Sequence, residues 1–235
     1  MSFRQIFCSG FYGCLLGALP GIALRAQVPA QSSSQSSSSS LSKPAAKAAP
    51  VAASPLSSGT ISDGVYRNRA FGFACKIPAG WVLRTEEMNA RDDGGSNADS
   101  GRKAGSGKAE RVLLAAFSRP PEARAEDVNS SIVIAAESAA AYPGLTDAAQ
   151  YFGPLTEVTK AQGFEVVEEP YEFAIGTKTV VRGDFQKDIA TRVMRQSTLV
   201  MLARGYAVSF TFIGGTEDEV EELVGGLSFG AAKSK

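Results

Sequence analysis

The stretch Tyr66-Arg67-Asn68-Arg69-Ala70-Phe71-Gly72-Phe73-Ala74-Cys75-Lys76-Ile77-Pro78-Ala79-Gly80-Trp81 decides how the chain is to be read. From Ala70 to Ile77 apolar and small or polar residues alternate, the period of a half-buried strand. Successive strand side chains point to opposite faces, so Phe71, Phe73, Cys75 and Ile77 share one face. Pro78-Ala79-Gly80 predicts a turn, and Trp81-Val82-Leu83 resumes an extended path. The aromatic residues read as packing groups, with the single Trp81 closing one end of a core. Cys75 shares their face and reads as a small buried hydrophobe rather than a nucleophile.

Upstream of this stretch the chain looks exported. Residues 1–26 have the layout of a secretory signal peptide: Arg4 in the basic region, a short apolar run from Phe11 to Leu24, and small Ala26 before Gln27. The run is shorter than the roughly 20 residues a membrane-spanning helix needs, so no integral span is expected in the mature chain. Cleavage would remove Cys8 and Cys14 and leave Cys75 alone, so no internal disulfide is expected. Residues 27–63 are rich in Ser, Ala, Pro and Gln, with too little to bury, and read as a disordered spacer. Residues 64–230 have the composition of one globular domain. Within it residues 89–109, rich in Gly, Ser, Asp and Lys, read as a mobile internal loop, and residues 231–235 as a tail.

The domain reads as strand-rich. Further strands are expected over Arg111–Ser118, Ser131–Glu137, Phe164–Val167 and Tyr171–Ile175. A long hairpin follows over Lys178–Lys187 and Thr191–Ala203, then a tight turn at Arg204-Gly205 into Tyr206–Ile213. Two helices interrupt this pattern. Thr146 is the expected N-cap of the first, with Pro154 expected to kink or divide it and Gly163 to end it. Thr216 to Glu219 form a capping box for the second, with Val220, Leu223, Val224 and Leu227 as its apolar stripe. Strand runs without regular βα alternation predict an α+β fold: a mostly antiparallel central sheet flanked by helices.

The chemistry is bounded by what is missing. The chain has no histidine, which excludes Ser-His-Asp and Cys-His catalysis, His-ligated zinc and a His general base. No catalytic residue, metal site or cofactor is expected. Residues 64–230 carry 18 Lys and Arg against 23 Asp and Glu, a net of −5, so nucleic acid is not an expected partner. Gly101 to Lys108 imitates a phosphate loop but lacks the required Ser or Thr at Ala109. Asp92, Asp93, Asn97 and Asp99 lack calcium-loop spacing. Arg182-Gly183-Asp184 falls inside an expected strand, and Asn129-Ser130-Ser131 is a glycosylation sequon. The charged hairpin is more informative: Arg182, Arg192 and Arg195, with Asp184, are either cross-strand ion pairs or a site for an anionic ligand.

Tyr66-x-Asn68-x-x-Phe71-Gly72-Phe73 followed by Pro78-x-Gly80-Trp81 resembles the N-terminal signature of the PsbP-like and DcrB-like proteins. The order of elements at the C-terminal end is similar too. The resemblance implies an α/β/α sandwich in an exported protein, periplasmic or extracellular, that serves an envelope protein or membrane complex. The expected function is therefore a non-enzymatic interaction or assembly module of the cell envelope. The alternative is a small-ligand carrier that holds an anionic or apolar molecule between the sheet and the Thr146–Gly163 helix.

Overall fold

The computed structural model describes residue 56 and residues 59–94, 110–123 and 127–230. The signal peptide over residues 1–26, most of the spacer, most of the 89–109 loop and the tail lie outside the described residues.

In chain order the first elements are β1 (Thr60–Ser62), β2 (Val65–Asn68), β3 (Phe73–Lys76), β4 (Val82–Leu83) and α1 (Thr85–Gly94). Next come β5 (Glu110–Phe117), β6 (Ser131–Ser138), a 3-10 turn (Ala139–Ala141) and α2 (Ala148–Ala161). The chain continues through β7 (Glu165–Ile175), β8 (Lys178–Ile189), β9 (Arg192–Ala203) and β10 (Tyr206–Gly214), then α3 (Glu217–Gly225) and β11 (Leu227–Phe229). The strands form a seven-stranded sheet in the order β4-β5-β6-β10-β9-β8-β7 and a four-stranded sheet in the order β1-β2-β3-β11. Every pairing is antiparallel. The fold is an α+β sandwich.

Binary patterning explains the layers. On one face of the large sheet Ile132, Ile134, Leu199, Met201, Val208, Phe210 and Phe212 meet the small sheet and α3 in one buried cluster. Phe73 and Cys75 point into it, as their shared parity on β3 requires, whereas Phe71 reaches it from a turn in which Gly72 takes a positive φ, and Ile77 from just past the strand. Phe73 and Phe210 meet edge to face, with ring centres 4.9 Å apart. On the other face Val181, Phe185, Met194, Val200 and Ala207 pack against Tyr151, Phe152 and Leu155 of α2. Gly183 admits Phe152 here, because a Cβ at that position would stand 2.6 Å from the ring. Strand β10 is covered on both faces, so every residue from Ala207 to Gly214 is buried.

Polar ties fasten α2 down. Glu137 is buried on the sheet and accepts the hydroxyls of Tyr142 and Tyr151, each at 2.8 Å. Burial and the Glu137 carboxylate raise the Tyr151 hydroxyl far above its ordinary pKa.

Four expectations need correction. The spacer ends earlier than residue 63, because Thr60–Ser62 pair with Val65–Arg67 as β1 and Leu56 packs on the core. The 89–109 loop starts later, because Thr85–Gly94 is helical. Its side chains supply the reason: Thr85 Oγ1 accepts the Ala115 N–H at 2.9 Å, and Asn89 bonds both the N–H and the carbonyl of Val112. The N-cap of helix α2 is Asp147 rather than Thr146. The Asp147 carboxylate accepts the Ala149 N–H at 2.7 Å, and the Gln150 side chain reaches back to the Asp147 N–H. Pro154 does not divide α2, which runs unbroken to Ala161. It removes one backbone donor, while Tyr151, Phe152 and Leu155 on either side stay buried against the sheet. Among the described residues no helix is long and apolar enough to cross a membrane.

Candidate functional site

Three arginines meet at the end of the sandwich where β9 begins and β10 ends. Arg192 opens β9, Arg195 lies three residues further on opposite Gly214, and Arg119 follows the end of β5. They line an open cavity of about 550 Å³ together with Asp127, Val128, Ser130 and residues Gly215, Thr216 and Glu219 at the entry to α3.

Local chemistry explains why each wall stands where it does. Asn129 pins the chain after β5: its side-chain oxygen accepts the Ser118 hydroxyl and the Arg119 N–H, and its amide donates to the Arg119 carbonyl at 3.1 Å. With both ends of that amide occupied, Asn129 is a loop-fixing residue. Arg119 then donates to the carbonyls of Asp127 and Val128. On the α3 side Thr216 caps the helix by accepting the Glu219 N–H. Glu219 accepts the Gly215 N–H at 2.8 Å and the Ser130 hydroxyl, which joins α3 to the start of β6. Gly214 permits this contact, since a Cβ there would come within 3.0 Å of the Glu219 carboxylate.

The electrostatics favour an anion. The three guanidinium groups face two carboxylates, Asp127 and Glu219, and Glu219 is already committed to the helix entry. Arg192 pairs with Asp127 at 3.1 Å, where both side chains are largely in water. Arg195 makes one long bond, 3.4 Å to Gln186, and the buried Nε atoms of Arg119 and Arg195 have no acceptor among the described residues. Guanidinium groups suit carboxylate or phosphate oxygens. The first turn of α3 carries Glu217, Asp218 and Glu219, so the positive charge at the cavity comes from the arginines alone.

Arg182 is placed elsewhere. It is buried on β8 beneath α3, where Nε donates to Asp184 at 3.0 Å and the Nη atoms donate to Glu221. Its guanidinium also lies over the Phe173 ring at 5.0 Å. Burial alone would lower its pKa, but the Glu221 and Asp184 carboxylates outweigh that and hold it above the ordinary value. Tyr171 donates to the same Asp184, and burial together with that carboxylate pushes its hydroxyl up to about 12. The cluster ties α3 to the sheet edge.

Of the expected arginines, then, Arg192 and Arg195 share a cavity and Arg182 does not. Arg119, Asp127 and Ser130 were not legible as partners, because they reach the cavity from a connection about 70 residues earlier in the chain. The expected cleft between sheet and α2 is filled by Tyr151, Phe152 and Leu155. Among the described residues no group of three or more Cys, Asp or Glu is placed to hold a metal ion. Asp92 and Asp93 lie in α1, while Asn97, Asp99 and the Gly101–Lys108 segment fall outside the described residues.

No family model matches the chain, and no curated protein matches it in sequence. Among solved structures it is similar to cyanobacterial PsbP (CyanoP) from Synechocystis, at 16% identity over 75% of this chain and 99% of that one, with a TM-score of 0.40. It is similar to the Ran-binding protein of Saccharomyces cerevisiae at 10% identity, over 72% of this chain and 96% of that one, with a TM-score of 0.39. It is also similar to LpqN, involved in cell envelope biogenesis of Mycobacterium tuberculosis, at 12% identity over 68% and 83% of the two chains, with a TM-score of 0.33. These scores carry no residue role to this chain.

Proposed function

We propose that this chain is an exported, non-enzymatic binding module whose cavity at the α3 entry takes a small anionic ligand, a phosphate or a carboxylate. One observation carries the reading: Arg119, Arg192 and Arg195 line a single cavity of about 550 Å³. The wider role, an interaction or assembly module of the cell envelope, is supported by the signal-peptide layout, the PsbP-like and DcrB-like signature, and the absence of histidine.

Isothermal titration of the protein with inorganic phosphate and with succinate at low ionic strength tests it. Binding of one or both is expected, and Arg195→Gln should weaken it about tenfold or more, the value of one charge-assisted hydrogen bond. Absence of heat with both ligands, or full affinity in Arg195→Gln, would overturn the assignment.

A further inference from the structure

Building on that reading of the cavity, we propose that Asp127 is a built-in occupant of the anion site. Its carboxylate belongs to the chain itself, holds Arg192, and is displaced when an external anion enters.

The two carboxylates at the cavity differ in how they are held. Glu219 is locked by the Gly215 N–H and the Ser130 hydroxyl and forms part of the α3 entry. Among the described residues Asp127 has no such frame. It meets Arg192 Nη1 at 3.1 Å, and the two side chains are 72% and 48% exposed. An exposed pair of this kind is screened by water and salt and is among the weakest ionic contacts. Its donor is one of the three guanidinium groups that line the cavity. An entering phosphate can therefore take the N–H that Asp127 now accepts while also reaching Arg195.

The backbone supports the exchange. The Asp127 carbonyl accepts from Arg119 and the Val128 carbonyl does so at 3.3 Å, so the chain stays anchored when the carboxylate swings into water. Only a side-chain rotation is required. Asp127 thus sets a threshold: an anion must offer Arg192 more than one loosely held carboxylate already does.

Phosphate titrations of the full chain and of Asp127→Asn, Arg192→Gln and the double variant test this. Asp127→Asn preserves side-chain shape at an exposed position, and unchanged thermal melting confirms that the fold is intact. Asp127→Asn is expected to bind phosphate about two- to fivefold tighter than the natural chain, the range set by exposed ion pairs. That gain should vanish when Arg192→Gln is added. Equal or weaker binding by Asp127→Asn, while the natural chain binds, overturns the role of Asp127 and leaves the cavity assignment standing. A gain that persists undiminished in the Arg192→Gln background also overturns it, since the effect would then be one of overall charge. No phosphate binding by any of the four proteins overturns this inference, and the cavity assignment falls with it when succinate also fails to bind.

Discussion

Cys75 pairs with Tyr66 and Leu227 in the small sheet, its side chain fully enclosed by the core. Burial pushes its thiol up to about 12, so at neutral pH almost no thiolate is available to react. An aromatic disulfide reagent, with the labelled peptide identified by mass spectrometry, is expected to leave Cys75 unmodified in the folded protein and to modify it in denaturant. The same burial gives a pH dependence of known sign. A thiol whose pKa is raised by folding contributes its stability in full below the unfolded value near 9, and loses it as pH rises toward 12. Urea midpoints measured at pH 8 and pH 10.5 should therefore fall more for the natural chain than for Cys75→Ala. Equal slopes would contradict that assignment. The strand parity of Phe73 and Cys75 was enough to place this residue, because alternation is a property of the extended backbone itself, although the strand starts at Phe73 rather than Ala70.

Helix α2 shows where local rules are outvoted. Pro154 lies well inside it, yet the helix continues for seven more residues to Ala161. A helix-interior proline costs about 3 kcal/mol relative to alanine, and here Tyr151, Phe152 and Leu155 hold both halves on the sheet. Pro154→Ala restores the missing donor at some loss of ring contact, and is expected to stabilise the fold by about 1–2 kcal/mol. Chemical denaturation checks it, and a fall in stability would show that the ring is required by packing. Strand β7 makes a related point. Phe164–Val167 and Tyr171–Ile175 read as two strands, but they are parts of one edge strand whose register shifts twice, between Val166 and Glu168 and between Glu168 and Tyr171. Pro170 falls inside the second shift, which suits an edge strand that must not recruit another chain.

Across the whole molecule the domain is larger at its N-terminal end than composition suggested. Gly59 donates its N–H to the Tyr66 hydroxyl at 3.1 Å, and a Cβ there would stand 2.4 Å from the Arg67 carbonyl. Leu56 packs on the core one turn earlier. A chain that starts at Ala53 should therefore melt higher than one that starts at Gly64. The difference is expected to be roughly 1–3 kcal/mol from apolar burial and backbone hydrogen bonds, or about 3–10 °C for a domain of this size. Coincident melting curves would show that β1 and Leu56 contribute nothing. Residues this polar read as spacer because a short edge strand needs little apolar content when its partner supplies the pairing.

By itself the sequence determined the strand alternation from Phe73 to Lys76, the long β8–β9–β10 meander, the Thr216 cap of α3 and the absence of histidine chemistry. All of these depend on residues close together in the chain, or on composition. Tertiary structure alone decided which charges meet. Arg182, Arg192 and Arg195 lie within fourteen residues of one another, yet the first is buried against Asp184 and Glu221, while the other two open onto a cavity with Arg119 and Asp127. Strand parity assigns a face, but which neighbour waits on that face depends on where α3 and the β5–β6 connection fold back, and long-range packing fixes that position.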